Sequence, residues 1–358
     1  MASPTHVGNP SHREGESELG HRYRALRRRV LTPNVSATLL DVRGFHKKSP
    51  ESQALLEKIG ATFLEGYAYA AEAKTVDDAA ERLDQQLSVR FRGFGYEGAG
   101  MGFAVRDGLP LGPTKLNEKF LAGPGDPHNY MVYVGMGWAM ARLPKFRWPD
   151  GDKIDLLLRW LLLDGYGFHQ AYFVTKKYVD QQYQDKRFGW PSRAWSDYSN
   201  RAIDQGIGRA LWFICGTDAE LTASTLDKFD ESRHRDLWAG VGLAATYAGG
   251  ADEHELRTLF QRAGKNRIHL SQGSCFAAEC RIRADLLVPH NELATKILCG
   301  RTAARTAQVA LDHRPEHVIE GTLPAYEQWR RKVAGEFAAH AATADLPTID
   351  QEQQEKAA

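Results

Sequence analysis

Four cysteines in 358 residues, no two of them spaced Cys-x-x-Cys, leave little room for a disulfide framework or a thiolate metal knot. They are Cys215, Cys275, Cys280 and Cys299, all in apolar segments, and are expected to be reduced, buried packing residues. Charge of one sign is also missing. Lys and Arg number 46 against 45 Asp and Glu, a formal net charge of +1. With no basic groove carrying interleaved aromatics, nucleic acid is not an expected partner. Long apolar runs are absent too: the longest segment, residues 154–168, is interrupted by Asp155, Arg159 and Asp164. It is too short and too charged to span a bilayer. The first twenty residues are polar and lack an apolar signal core, so the expected location is cytoplasmic.

Familiar chemical motifs are missing as well. There is no G-x-x-x-x-G-K-[ST] phosphate loop, no H-E-x-x-H, no Cys/His zinc spacing and no G-x-S-x-G nucleophile elbow. The G-x-G pieces follow no strand pattern and lack a third glycine at the dinucleotide spacing, so no tightly bound cofactor is expected. Asp77-Asp-Ala-Ala-Glu81 places carboxylates one helical turn apart, where they could hold Mg²⁺ against a diphosphate, as in isoprenoid cyclases. Thr75 precedes them as an N-cap and acidic residues suit a first turn, so a helix start is the favoured reading and a cyclase the weakest function.

Glycine is plentiful and periodic. The pattern Gly-x-small-x-small begins at Gly100, Gly135, Gly165, Gly206, Gly240 and Gly273, at steps of 35, 30, 41, 34 and 33 residues. β-branched residues are sparse and helical periodicity dominates. A step near 34 fits one antiparallel helix pair plus turns. Second helices begin with cap-like stretches at Thr217-Asp-Ala-Glu-Leu221, Asp252-Glu-His-Glu-Leu256 and Pro289-His-Asn-Glu-Leu293. The expected fold is all-α: repeated antiparallel helix hairpins, tetratricopeptide-like or an α/α-repeat array, around a central or concave pocket. Residues 1–18 and 336–358 are expected to be disordered, flanking one helical-repeat domain at 19–335. The basic stretch 21–31 is expected to pack through Tyr23, Leu26 and Val30, with its arginines solvated or touching an acidic partner or membrane surface.

Departures from the pattern mark candidate function. The fifth position is alanine at 104, 139, 210, 244 and 277 but His169 in the third copy. The fourth is Arg209 in one copy and otherwise apolar, as in Phe168. The residue before the first glycine is Asp164, Gln205 or Gln272 in three copies. Gln205 and Arg209 share a helix face, and Gln272 and Glu279 lie two turns apart. One shared polar pocket predicts His169 as acid or base, oriented by Asp164 or Asp204. Arg209, Gln205, Gln272, Glu279, Tyr172 and Phe168 would then bind substrate. The bland reading is that these groups bridge helices through buried hydrogen bonds.

Taken together, Phe94-Gly-Tyr-Glu-Gly-Ala-Gly-Met101, Leu121-Ala-Gly-Pro-Gly125, Leu163-Asp-Gly-Tyr-Gly-Phe-His169, Asp204-Gln-Gly-Ile-Gly-Arg209 and Gly240-Val-Gly-Leu-Ala244 resemble a bacterial family named domain of unknown function 1702. The resemblance runs from about Arg24 to Arg331. Members of that family are often described as enediyne biosynthesis proteins. The resemblance implies antibiotic or other natural-product biosynthesis, including conversion of a linear polyene to an enediyne polyketide core, and brings no catalytic residue with it. The leading expectation is an enzyme that isomerises or cyclises an apolar polyunsaturated intermediate. The alternative is a non-catalytic scaffold for a synthase, a carrier protein or an intermediate.

Overall fold

A computed structural model describes residues 18–110 and 115–343. The outer parts of both expected disordered ends, 1–17 and 344–358, lie outside the described residues. Among those described there are seventeen α-helices and no strand. The first helices are α1 (Glu18–Leu31), α2 (Leu40–Arg43), α3 (Pro50–Glu72), α4 (Val76–Gln86), α5 (Val89–Asp107) and α6 (Leu116–Leu121). The middle of the chain forms α7 (Asn129–Met140), α8 (Trp160–Phe173), α9 (Ser196–Ile214), α10 (Ala219–Leu226) and α11 (Glu231–Ala248). Then follow α12 (Glu253–Arg262), α13 (Arg267–Arg283), α14 (Pro289–Cys299), α15 (Ala303–Asp312), α16 (Ala325–Gly335) and α17 (Ala338–Thr343).

Local chemistry starts many of these helices. Ser49 and Ser52 form a reciprocal capping box at α3, with Pro50 in the first turn where its missing N–H costs nothing. Asp252 and Glu255 do the same at α12. At α10 the cap is Asp218, which accepts from Leu221 N at 2.8 Å. Thr217, expected to cap it, instead takes a left-handed φ of 62°.

Helices α3, α5, α7, α8, α9, α11, α13 and α15 pack side by side in that order. Glycine sets the spacing. A Cβ on Gly165 would lie 2.0 Å from the Val134 carbonyl oxygen, on Gly206 1.8 Å from that of Asp164, and on Gly240 2.0 Å from that of Gln205. Each of these first glycines faces the preceding helix. The second glycines face the following one: Gly167 meets Ile203 O at 2.1 Å, Gly208 meets Leu237 O at 2.1 Å and Gly242 meets Leu270 O at 2.0 Å. No other residue permits such backbone approach. In α5 the matching pair is Gly98 and Gly100, against Phe63 O and Val132 O, two residues earlier than the spacing predicts. Gly102 instead closes back on Tyr67 and Ala70.

Three further expectations change. At two steps no α-helix separates the glycine helices: Pro144 and Pro149 interrupt the stretch between α7 and α8, and Gly189 and Pro191 the stretch before α9. On α1, Tyr23, Leu26 and Val30 are 61%, 58% and 70% exposed. That helix docks instead through Arg27, which donates to the carbonyls of Ala71, Glu72 and Ala73 at the end of α3, and through Arg28, paired with Glu72 at 2.8 Å. A helix C-terminus attracts cations, and here that outweighs the apolar stripe. Finally, helical structure continues past 335: Phe337 is fully buried and α17 follows it.

All four cysteines are buried and unbonded to one another. No helix among the described residues is long and apolar enough to cross a membrane.

Candidate functional site

Each glycine helix turns one stripe of side chains inward. Counting from its first glycine, the residue three positions on is Met101, Trp138, Phe168, Arg209, Leu243 or Phe276. The first five line a cavity of about 350 Å³. Phe276 lines a narrow annex of about 40 Å³ that shares Met131, Arg209, Leu243 and Tyr247 with it. A step of four back along the helix, onto the same face, reaches the residue before the first glycine. In α5 that residue is Glu97.

Glu97 is buried and lines the cavity beside the Trp138 indole. Burial pushes its carboxyl up to about 7; Arg209 and the Trp138 indole oppose the rise, and Asp164 adds to it. The acid therefore exchanges a proton near neutral pH, inside a wall made of Phe63, Phe94, Trp138, Phe168 and Tyr172. Beside it Arg209 donates through Nε to Asp164 Oδ1 at 2.6 Å. The Arg209 guanidinium lies 4.9 Å from the centroid of the Phe168 ring. Burial raises the Asp164 carboxyl and Arg209 opposes that rise.

Glu97 escaped the sequence reading because of the two-residue register error in α5. With the helix aligned on Gly98, Glu97 falls in the column that holds Asp164, Gln205 and Gln272. The signal was present in the stretch 94–101, under the wrong index.

His169 also lines the cavity, half-buried, with its ring 4.7 Å from Phe173 and edge-on to Trp138 at 5.6 Å. Burial lowers the imidazole to about 4; a contact with Gln170 resists this and Arg142 reinforces it. The lowered ring is neutral at pH 7, a weaker proton acceptor than the ordinary imidazole on which its choice as acid or base rested. Neither Asp164 nor Asp204 bonds it. Asp164 is committed to Arg209. Asp204 is held outside the cavity by Arg233, at 2.6 and 3.0 Å, and by Gln184 at 3.1 Å.

Other predicted residues divide by location. Phe168 and Tyr172 line the main cavity, and the Tyr172 hydroxyl donates to Thr38 O at 3.3 Å. Glu279 lines the annex beside Tyr130, whose oxygen accepts from Arg314 at 3.1 Å. Burial raises the Glu279 carboxyl. Gln205 and Gln272 line neither the main cavity nor the annex. Gln205 accepts from the Tyr326 hydroxyl at 3.4 Å, and Gln272 accepts from Arg330 Nε at 3.1 Å. Arg330 belongs to a buried network in which it also donates to Asp236 and Glu327. The hydrogen-bonded bridging reading thus holds for Asp204, Gln205 and Gln272.

Asp77, Asp78 and Glu81 form the first turns of α4, away from the cavity. Asp78 accepts from Lys74 N at 2.9 Å while Thr75 caps Asp78 N at 3.1 Å, which ties Asp78 into helix initiation, and Glu81 accepts from the Gln85 amide at 3.0 Å. Among the described residues no three His, Cys, Asp or Glu side chains gather as a metal site.

Comparison finds no matching curated protein and no matching solved structure. The family model described as "Protein of unknown function (DUF1702)" matches residues 22–337, most of the chain, and the chain belongs to that family.

Proposed function

We propose that this chain is an enzyme of bacterial specialised metabolism that binds an apolar, polyunsaturated small molecule and moves a proton on it, so as to isomerise or cyclise it. One observation carries the reading: a buried carboxylic acid, Glu97, is poised near neutrality in an aromatic-lined cavity beside the Arg209–Asp164 pair. Such an acid can protonate an alkene or an enol carbon, or remove a proton next to a carbonyl. Arg209 would hold a substrate oxygen on which negative charge develops. Ring faces would carry a conjugated chain. The enediyne-type polyketide implied by the family resemblance is the candidate class.

The same reading treats the glycine helices as copies of one hairpin unit curling about the cavity. Its support is the constant register: from α7 onward each first glycine meets the carbonyl that precedes the previous pair, and from α5 to α11 each second glycine meets the carbonyl three residues before the next first glycine. His169 is then a neutral wall residue in this scheme.

The alternative, a scaffold that holds a synthase, carrier protein or intermediate without chemistry, draws support from the apolar stripe of α1 left open to solvent. Metabolite analysis separates the two. Deleting the gene in its host and replacing Glu97 by Gln should give the same accumulated intermediate, while His169→Gln stays nearer to the wild-type profile. A Glu97→Gln strain with the wild-type profile would favour the scaffold.

A further inference from the structure

The cavity opens between the segment that follows α1 and the ends of α7 and α8: Pro33, Ala37, Arg142, His169 and Phe173 line it there, none of them buried. Two cations stand at this rim. Arg142 is exposed, lines the cavity, and makes no side-chain hydrogen bond or ion pair among the described residues. Arg43 sets its guanidinium 5.2 Å from the centroid of the Phe173 ring, and its buried Nε has no hydrogen-bond partner. Most arginines that meet the core here are committed to carboxylates or carbonyls, as Arg27, Arg201, Arg233 and Arg330 are. Glu57, the carboxylate that shares the surroundings of Tyr172 with Arg43, already accepts from Leu40 N and from the Gln53 amide, each at 3.0 Å. Glu97 is the one acid among the described residues lining the main cavity, and it is buried.

A guanidinium N–H buried without an acceptor is costly, and a bound anion would remove that cost. Behind the rim the walls are aromatic and aliphatic. We propose that Arg43 and Arg142 bind the anionic head of an amphipathic ligand whose apolar tail lies in the cavity. This rests on the reading of the cavity as a substrate site and narrows the substrate class to a chain ending in a carboxylate or phosphate. A free acid and a phosphopantetheine arm of a carrier share that chemistry.

Fluorescence titration with cis-parinaric acid, a conjugated tetraene carboxylate, and with the matching alcohol tests the proposal on the full chain. The acid is expected to bind at least tenfold more tightly than the alcohol at low salt. Arg43→Gln and Arg142→Gln should each weaken the acid several-fold and leave the alcohol unchanged; circular dichroism would check that both variants are folded. Displacement of the acid by 4′-phosphopantetheine would place the head on a carrier arm, and its absence would place it on a free acid; the proposal stands in either case. Equal binding of acid and alcohol, or variants that bind the acid as the wild type does, would overturn it while leaving the cavity reading intact. If neither probe binds, the cavity reading falls and the rim proposal with it.

Discussion

Arg209 on α9 and Asp164 on α8 form a buried ion pair across a junction where Gly206 brings the two backbones into contact. The pair and the glycine depend on each other: close approach puts the guanidinium against the carboxylate and excludes water from both.

Breaking that pair from one side should be costly. Asp164→Asn leaves a buried cation without its partner, and a loss of about 3–5 kcal/mol is expected in urea unfolding. Replacing both residues, Asp164→Leu with Arg209→Met, should recover much of it, because no uncompensated charge remains. A double variant as unstable as the single one would show that the pair does more than neutralise itself.

Two glycines make opposite predictions. In Gly206→Ala the new Cβ would sit 1.8 Å from the Asp164 carbonyl oxygen, so the helices must separate, at roughly 3 kcal/mol or more. In Gly335→Ala nothing lies within 4 Å, and the usual helix gain of about 0.5–1 kcal/mol applies. Thermal melts of both variants are the check, and a tolerated Gly206→Ala would contradict the packing described.

Glu97 predicts a pH dependence of known sign. Its folded-state carboxyl is held at about 7, against 4.5 for the ordinary group. Between those values the folded chain keeps a proton that the unfolded chain has released, so this group's contribution to stability falls as pH rises. Above pH 7 the fall levels off. Glu97→Gln removes the contribution, so the variant should gain on the wild type from pH 4.5 to pH 8 in urea midpoints. Parallel pH curves would refute a raised carboxyl.

Glu327 predicts the reverse. It is fully buried, and burial alone would raise its carboxyl, but Arg330, Arg201 and Arg331 outweigh burial and hold it at about 2. Arg235 donates to it as well. A depressed carboxyl contributes stability above its unfolded value and loses it as pH falls toward 2. Glu327→Gln should cost about 3–5 kcal/mol at pH 7 and flatten the acid limb of the stability curve.

Much of this was readable in the sequence, and for physical reasons. Paired glycines at a near-constant step state how close helices come, because nothing else allows carbonyl contact, so the helical class and the inward-facing position of Arg209 followed. The site's main acid did not, because Gly98, Gly100 and Gly102 offer two overlapping pairs and only the packing against Phe63 and Val132 chooses between them. Charge partners were equally hidden. Asp204 and Gln272 share their helices with the glycine motif, yet Arg233 and Arg330, which claim them, come from elsewhere in the chain. The exposed stripe on α1 misled because helix periodicity marks a face without saying what meets it.

The most direct test concerns the proton on Glu97. An infrared difference spectrum between wild type and Glu97→Gln at pH 6 should contain a protonated carboxyl band that titrates near pH 7 and shifts when cis-parinaric acid fills the cavity. A spectrum showing carboxylate alone at pH 6, or a band indifferent to the ligand, would contradict the account.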